Sequence, residues 1–175
     1  ASLRCGALAG RSPFMNAVLD HAARGGAVMG ICNGFQILTE TGMVPGVLIR
    51  NAGLKFSCRN VGLRLCETLA SPFTAGLDPS EDLTIPIAHN EGNYFADMDE
   101  LDRIEGNGQV AFRYATSDAD GPINPNGASR DIAGVLSSNG RVLGMMPHPE
   151  RAMSKLHGGT DGAKFLLKSL EALVS

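Results

Sequence analysis

The stretch A-V-M-G-I-C-N-G-F-Q-I-L, residues 27–38, constrains the fold of this chain more than any other. Ala27–Ile31 is a short apolar run bounded upstream by Gly25 and Gly26, the pattern of a buried strand. Residues 33–41 carry Phe35, Ile37 and Leu38 ahead of Gly42, which predicts a short helix. Cys32 falls at the joint, with Gly30 and Gly34 on either side. A strand, a sharp turn and a helix flanked by small residues make the geometry of a nucleophile elbow. The two glycines leave room for the turn and for a substrate to come close. A helix N-terminus also offers unpaired N–H groups and a positive dipole end. Both favour a thiolate, so Cys32 is expected to be more reactive than a free cysteine. A lone cysteine in an apolar run is more often a small buried hydrophobe, so a catalytic reading needs a partner base.

One stands near the C-terminus, in P-H-P-E at residues 147–150. His148 precedes a proline and is biased to extended backbone. Residues two apart in an extended segment point the same way, so Glu150 is placed to orient His148. Cysteine, histidine and carboxylate together form a Cys-His-acid arrangement, in which histidine takes the thiol proton and the acid fixes its tautomer. The backbone N–H of Asn33 supplies half of an oxyanion hole. A histidine in a turn is ordinarily structural; two halves of one mechanism in one chain outweigh that.

The surrounding sequence reads as one α/β domain over residues 1–175. Ser12 caps a helix with Pro13 at its first position and Met15, Val18, Leu19 and Ala22 on one face. The middle is β-rich: Val61, Leu63 and Leu65 alternate, as do Val110, Phe112 and Tyr114. Leu83–Ala88 is a further strand candidate that Pro86 confines to an edge or a bulge. A short helix is expected from Asp97 to Ile104, and a surface loop from Ser117 to Arg130. Ile132–Leu136 and Val142–Met146 flank S-S-N-G, a hairpin. From Asp161 to Val174, Ala163, Leu166, Leu167, Leu170, Leu173 and Val174 mark one face of a helix capped by Thr160 or Asp161. A net charge of −3 argues against a nucleic-acid surface, and no run approaches the roughly 18 apolar residues of a membrane span. The four cysteines form no C-x-x-C pair, so no zinc site is expected and the thiols read as reduced, in a cytoplasmic protein.

G-I-C-N-G-F-Q with P-H-P-E resembles the class I (triad) glutamine amidotransferases, and most narrowly the glutaminase subunits of phosphoribosylformylglycinamidine synthase. L-R-C-G-A, R-N-A-G-L-K-F, P-I-A-H-N-E-G-N-Y-F-A-D, G-Q-V-A-F-R-Y, N-P-N-G and G-G-T-D-G extend the match over nearly the whole chain. The resemblance implies a flavodoxin-like sandwich with a mixed, mostly parallel sheet. It implies Cys32 as nucleophile, His148 as general base and acid, and Glu150 as the third member. Gly30, Gln36 and His89 become candidates for the substrate pocket, and the polar stretch His89–Tyr94 is expected near the active site or a partner. Arg4, Arg50 and Arg59 could bind anions but read more readily as surface charges. Glutamine would be hydrolysed and its ammonia passed to a large synthetase subunit, accompanied by a small accessory subunit. No cofactor is expected on this chain; ATP and magnesium would belong to the synthetase. Family members carry further strands and P-G-G-F-S-Y-G-D ahead of L-R-C-G, so the resemblance also implies a chain without its N-terminal strands. Two other readings compete: a stand-alone cysteine hydrolase of the same fold, and an inactive docking subunit.

Overall fold

The computed structural model describes residues 12–115 and 123–175. L-R-C-G-A, with Arg4 and Cys5, and part of the 117–130 loop lie outside these described residues. Helix α1 (Pro13–Ala23) starts where the sequence places it, with Ser12 Oγ accepting from Met15 N at 3.2 Å. Strand β1 (Val28–Ile31) leads through Cys32 into α2 (Asn33–Glu40). The chain continues through β2 (Val47–Ile49), β3 (Ser57–Leu65), β4 (Leu83–His89), β5 (Asn93–Phe95), α3 (Met98–Gly106) and β6 (Val110–Ala115). It ends with β7 (Ile132–Leu136), β8 (Val142–Met145) and α4 (Asp161–Val174).

Six strands form one sheet in the order β1-β8-β7-β6-β3-β4, while β2 and β5 pair separately. The sheet is mixed, as expected, but among the described strands it is not mostly parallel. Only β1 and β8 run parallel; the other four pairings are antiparallel. The reason is connectivity: β7 returns to β8 through the S-S-N-G turn, and a strand that returns by a short turn must run antiparallel, whereas parallel pairing needs a crossover. β4 is an edge strand among the described residues, consistent with Pro86. β6 buries more than its alternating Val110, Phe112 and Tyr114: Ala111 and Ala115 on the other face are buried as well, so both faces are covered.

α4 corrects the expected apolar face. It buries Gly162, Phe165 and Ser169, and leaves Leu167, Leu170 and Val174 exposed. The i, i+3, i+7 stripe of one aromatic between two small residues lets the helix backbone come close to what lies beneath it. Phe165 meets Phe112 edge-on at 5.7 Å. Thr160 occupies the N-cap without a side-chain bond. Asp161 instead accepts from Thr84 N at 2.7 Å, tying the helix to β4.

Candidate active site

Cys32 sits between β1 and α2 with φ 52° and ψ −107°. A left-handed φ at a non-glycine residue costs about 1–3 kcal/mol and persists only where the surroundings hold it. Here the holding is direct. Cys32 N donates to Met145 O of β8 at 2.9 Å, and Cys32 O accepts from Gln36 N at 3.2 Å. Gly30, a candidate for the substrate pocket, serves this joint by packing. A Cβ there would lie 2.5 Å from Leu38 Cδ1 and 2.8 Å from the Gly34 carbonyl, so only glycine lets α2 lie this close on β1. A Cβ at Gly34 would meet nothing within 4 Å.

The sheet curls until its outer strands approach each other at this joint. The segment leaving β8 crosses to β4, where His148 N donates to Pro86 O at 2.8 Å. On the same strand, Ala88 O lies 3.9 Å from Cys32 Sγ. Cys32 and His148 therefore open on one cavity of about 680 Å³, which Asn33, Gln36, Arg50, His89, Glu91 and Arg151 also line. Glu150 stands behind His148, with Oε1 2.6 Å from His148 Nδ1. His148 is 7% exposed, and its Nε2 has no hydrogen-bond partner among the described residues. One ring nitrogen is thus fixed by a carboxylate while the other is left unpaired.

The electrostatics at Cys32 reverse one expectation. Burial pushes the thiol pKa up from the ordinary value, outweighing the backbone N–H of Asn33 and the charge of Arg151, which pull it down; Glu150 adds to the rise. Desolvation of the charged sulfur wins over the helix terminus. The resting sulfur is held as a thiol, so ionising it requires a base.

His89 is buried at the cavity wall, and its Nε2 lies 3.1 Å from Asn126 Nδ2. That amide nitrogen also reaches Gly92 O at 2.7 Å and Tyr114 Oη at 3.0 Å. The amide has two N–H donors for these three contacts, and His89 Nδ1 has no hydrogen-bond partner among the described residues. Burial, and then the neighbouring His148, lower the His89 pKa to about 4. The unfolded chain takes up this proton near pH 6.5, whereas the folded one resists it down to about pH 4. His89 therefore stabilises the fold fully above pH 6.5, and the contribution falls as pH drops through that window. Between pH 7 and pH 5 the loss is about 2 kcal/mol. Thermal melts of the wild type and His89→Gln across this range should show the steeper fall in the wild type; parallel curves would remove the assignment.

Gln36 lies at the cavity, with its Nε2 3.4 Å from Glu91 Oε2. Tyr94, the other end of the polar stretch, belongs to the core instead. Its ring stacks on Phe35 at 5.9 Å and its hydroxyl donates to Pro45 O at 3.0 Å, because β5 turns that side chain inward. Sequence reasoning did not single out Asn51 or Asn126. Asn51 is 2% exposed; its amide donates to His89 O and Lys55 O at 2.9 Å, and its carbonyl accepts from Gly92 N at 2.9 Å. Both lie inside matched motifs, R-N-A-G-L-K-F and N-P-N-G, which is the only signal that marked them. Arg59 lies outside the cavity lining. Among the described residues no group of three or more His, Cys, Asp and Glu is disposed to hold a metal ion, and no helix is long and apolar enough to cross a membrane.

A family model described as the CobB/CobQ-like glutamine amidotransferase domain matches residues 6–161. The phosphoribosylformylglycinamidine synthase subunit PurQ of Roseobacter denitrificans is 58% identical over 160 residues, covering 91% of this chain and 68% of that protein. The corresponding subunit of Novosphingobium aromaticivorans is 55% identical over 172 residues, covering 98% and 73%. A solved structure of PurLQS from Thermotoga maritima superposes with a TM-score of 0.83 at 40% identity, over 98% of this chain and 73% of that one. With the strand–Cys32–helix joint and the curled α/β sheet already in place, these matches make the chain a member of the CobB/CobQ-like glutamine amidotransferases, in the family of the PurQ subunits.

Proposed function

We infer that this chain is the glutaminase component of phosphoribosylformylglycinamidine synthase, acting in purine biosynthesis through Cys32, His148 and Glu150. The observation that carries the reading is the pairing at the cavity: a thiol raised by burial faces the same space as a histidine whose Nδ1 is held and whose Nε2 is unpaired. His148 Nε2 takes the Cys32 proton as sulfur attacks the side-chain amide carbon of glutamine. The Asn33 N–H stabilises the oxyanion that forms. The imidazolium returns its proton to the departing nitrogen, ammonia leaves, and a γ-glutamyl thioester remains. His148 then activates water, which releases glutamate and restores the thiol. Glu150 holds the imidazole in the tautomer this cycle needs and steadies its charged form.

The ammonia is consumed by an ATP- and magnesium-dependent synthetase subunit that aminates formylglycinamide ribonucleotide, with a small accessory subunit in the same cytoplasmic complex. A glutaminase running alone would waste glutamine, so productive geometry belongs to the docked state. A misplacement of about 1 Å costs on the order of a hundredfold in rate. Glutamate release, assayed with and without the synthetase subunits, the ribonucleotide and ATP, should rise by at least about tenfold in the full mixture. Equal rates would favour a stand-alone hydrolase, and no release in either mixture would favour a docking subunit.

A further inference from the structure

We propose that Arg50 is the residue that holds the α-carboxylate of the glutamine substrate, an inference that rests on the glutaminase reading above. Among the described residues two cations line the Cys32 cavity, Arg50 and Arg151. Arg151 is partly committed, since its Nε lies 3.7 Å from Glu150 Oε1. Arg50 makes no side-chain hydrogen bond or ion pair with any described residue. Its position is nevertheless fixed. It lies between Ile49, the last residue of β2, and Asn51, whose backbone N donates to Asn90 O at 2.8 Å and whose buried amide ties the chain to His89 and Gly92. The backbone beneath an unpaired guanidinium is thus anchored to the strand end that forms the cavity wall.

The charges in the cavity match the head of an amino acid. Arg50 is the uncommitted cation, and Glu91 supplies an anion steadied by Gln36 at 3.4 Å. A zwitterion that reaches Cys32 with its side-chain amide can present its carboxylate to Arg50 and its ammonium towards Glu91. Guanidinium binds carboxylate through two parallel N–H···O bonds, so this contact sets orientation as well as affinity. It also explains discrimination: a simple amide lacks the carboxylate and leaves Arg50 without a partner.

The test is site-resolved labelling of Cys32 by a glutamine-shaped chloroketone, 2-amino-5-chloro-4-oxopentanoate, set against chloroacetone. In both reactions the sulfur bonds to the chloromethyl carbon, chloride leaves, and the thiol proton is lost. Peptide mass spectrometry separates Cys32 from the other cysteines. The wild type should label much faster with the amino-acid reagent. Arg50→Gln should lose that rate by tenfold or more with chloroacetone labelling unchanged, and Arg50→Lys should recover part of it. A variant that labels at the wild-type rate with both reagents would overturn the inference, as would an equal fall with both, which would mark Arg50 as structural. A wild type that shows no preference for the amino-acid reagent would defeat the glutaminase reading itself, and the role of Arg50 with it.

Discussion

Glutamine hydrolysis by the complete complex is expected to vanish in Cys32→Ala, with turnover reduced to background. The sulfur is the attacking atom of the proposed cycle, and no other described cysteine lines its cavity. His148→Ala should be nearly as severe. Burial holds the Cys32 thiol above its ordinary pKa, so without a base little thiolate forms at neutral pH. Glu150→Ala should retain some turnover, because it orients the base rather than reacting. Single-turnover release of glutamate, measured for the three variants, should therefore rank Cys32 at or below His148 and both well below Glu150. Wild-type turnover in Cys32→Ala would remove the nucleophile, and a Glu150 variant as dead as the cysteine variant would give the carboxylate a larger part than orientation.

Gly162→Ala, far from Cys32 in sequence, should be the most damaging single-methyl change. A Cβ at Gly162 would lie 1.9 Å from Pro149 O and 2.9 Å from Ala152 O, both backbone atoms, so no side-chain rotation can relieve the clash. The Pro149–Arg151 turn beneath it fixes Glu150 relative to His148. Overpacking of this kind costs about 1–3 kcal/mol or more. The melting temperature should drop, and turnover at a temperature where the variant remains folded should drop at least about tenfold as the turn shifts. Gly106→Ala is the control: its Cβ would meet nothing within 4 Å, and at the end of α3 it should be neutral or stabilising by a few tenths of a kcal/mol. A variant at Gly162 with wild-type stability and turnover would show that the turn yields freely and is not held by the helix.

Much of this was legible from local chemistry. The Cys32 joint was, because a strand run, a helix run and two small residues leave the chain few other paths. So were α1 from its Ser12-Pro13 cap and the β7–β8 hairpin from S-S-N-G, since both are settled by neighbours within a few residues. One proline narrowed β4 to an edge or a bulge, and among the described residues it is an edge. Recognition of the family needed only Cys32 with its flanks and the His148–Glu150 pair.

What the tertiary structure decided lies wherever residues distant in sequence compete for the same space. The pairing partner of each strand depends on contacts across the whole chain, so the mostly antiparallel balance among the described strands is not readable from local pattern. α4 carries a longer apolar stripe than the one it buries; the close approach at Gly162 and the ring of Phe112 selected the narrower face. The Cys32 thiol was expected low from its helix terminus, and burial by surrounding elements pushed it the other way. Arg50 and Glu91 are ordinary charges in the sequence; only the curl of the sheet, which brings β4 back to the end of β1, makes them walls of one cavity. Cysteine, histidine and acid are fixed by residue identity, but the space between them exists only because two ends of a sheet meet.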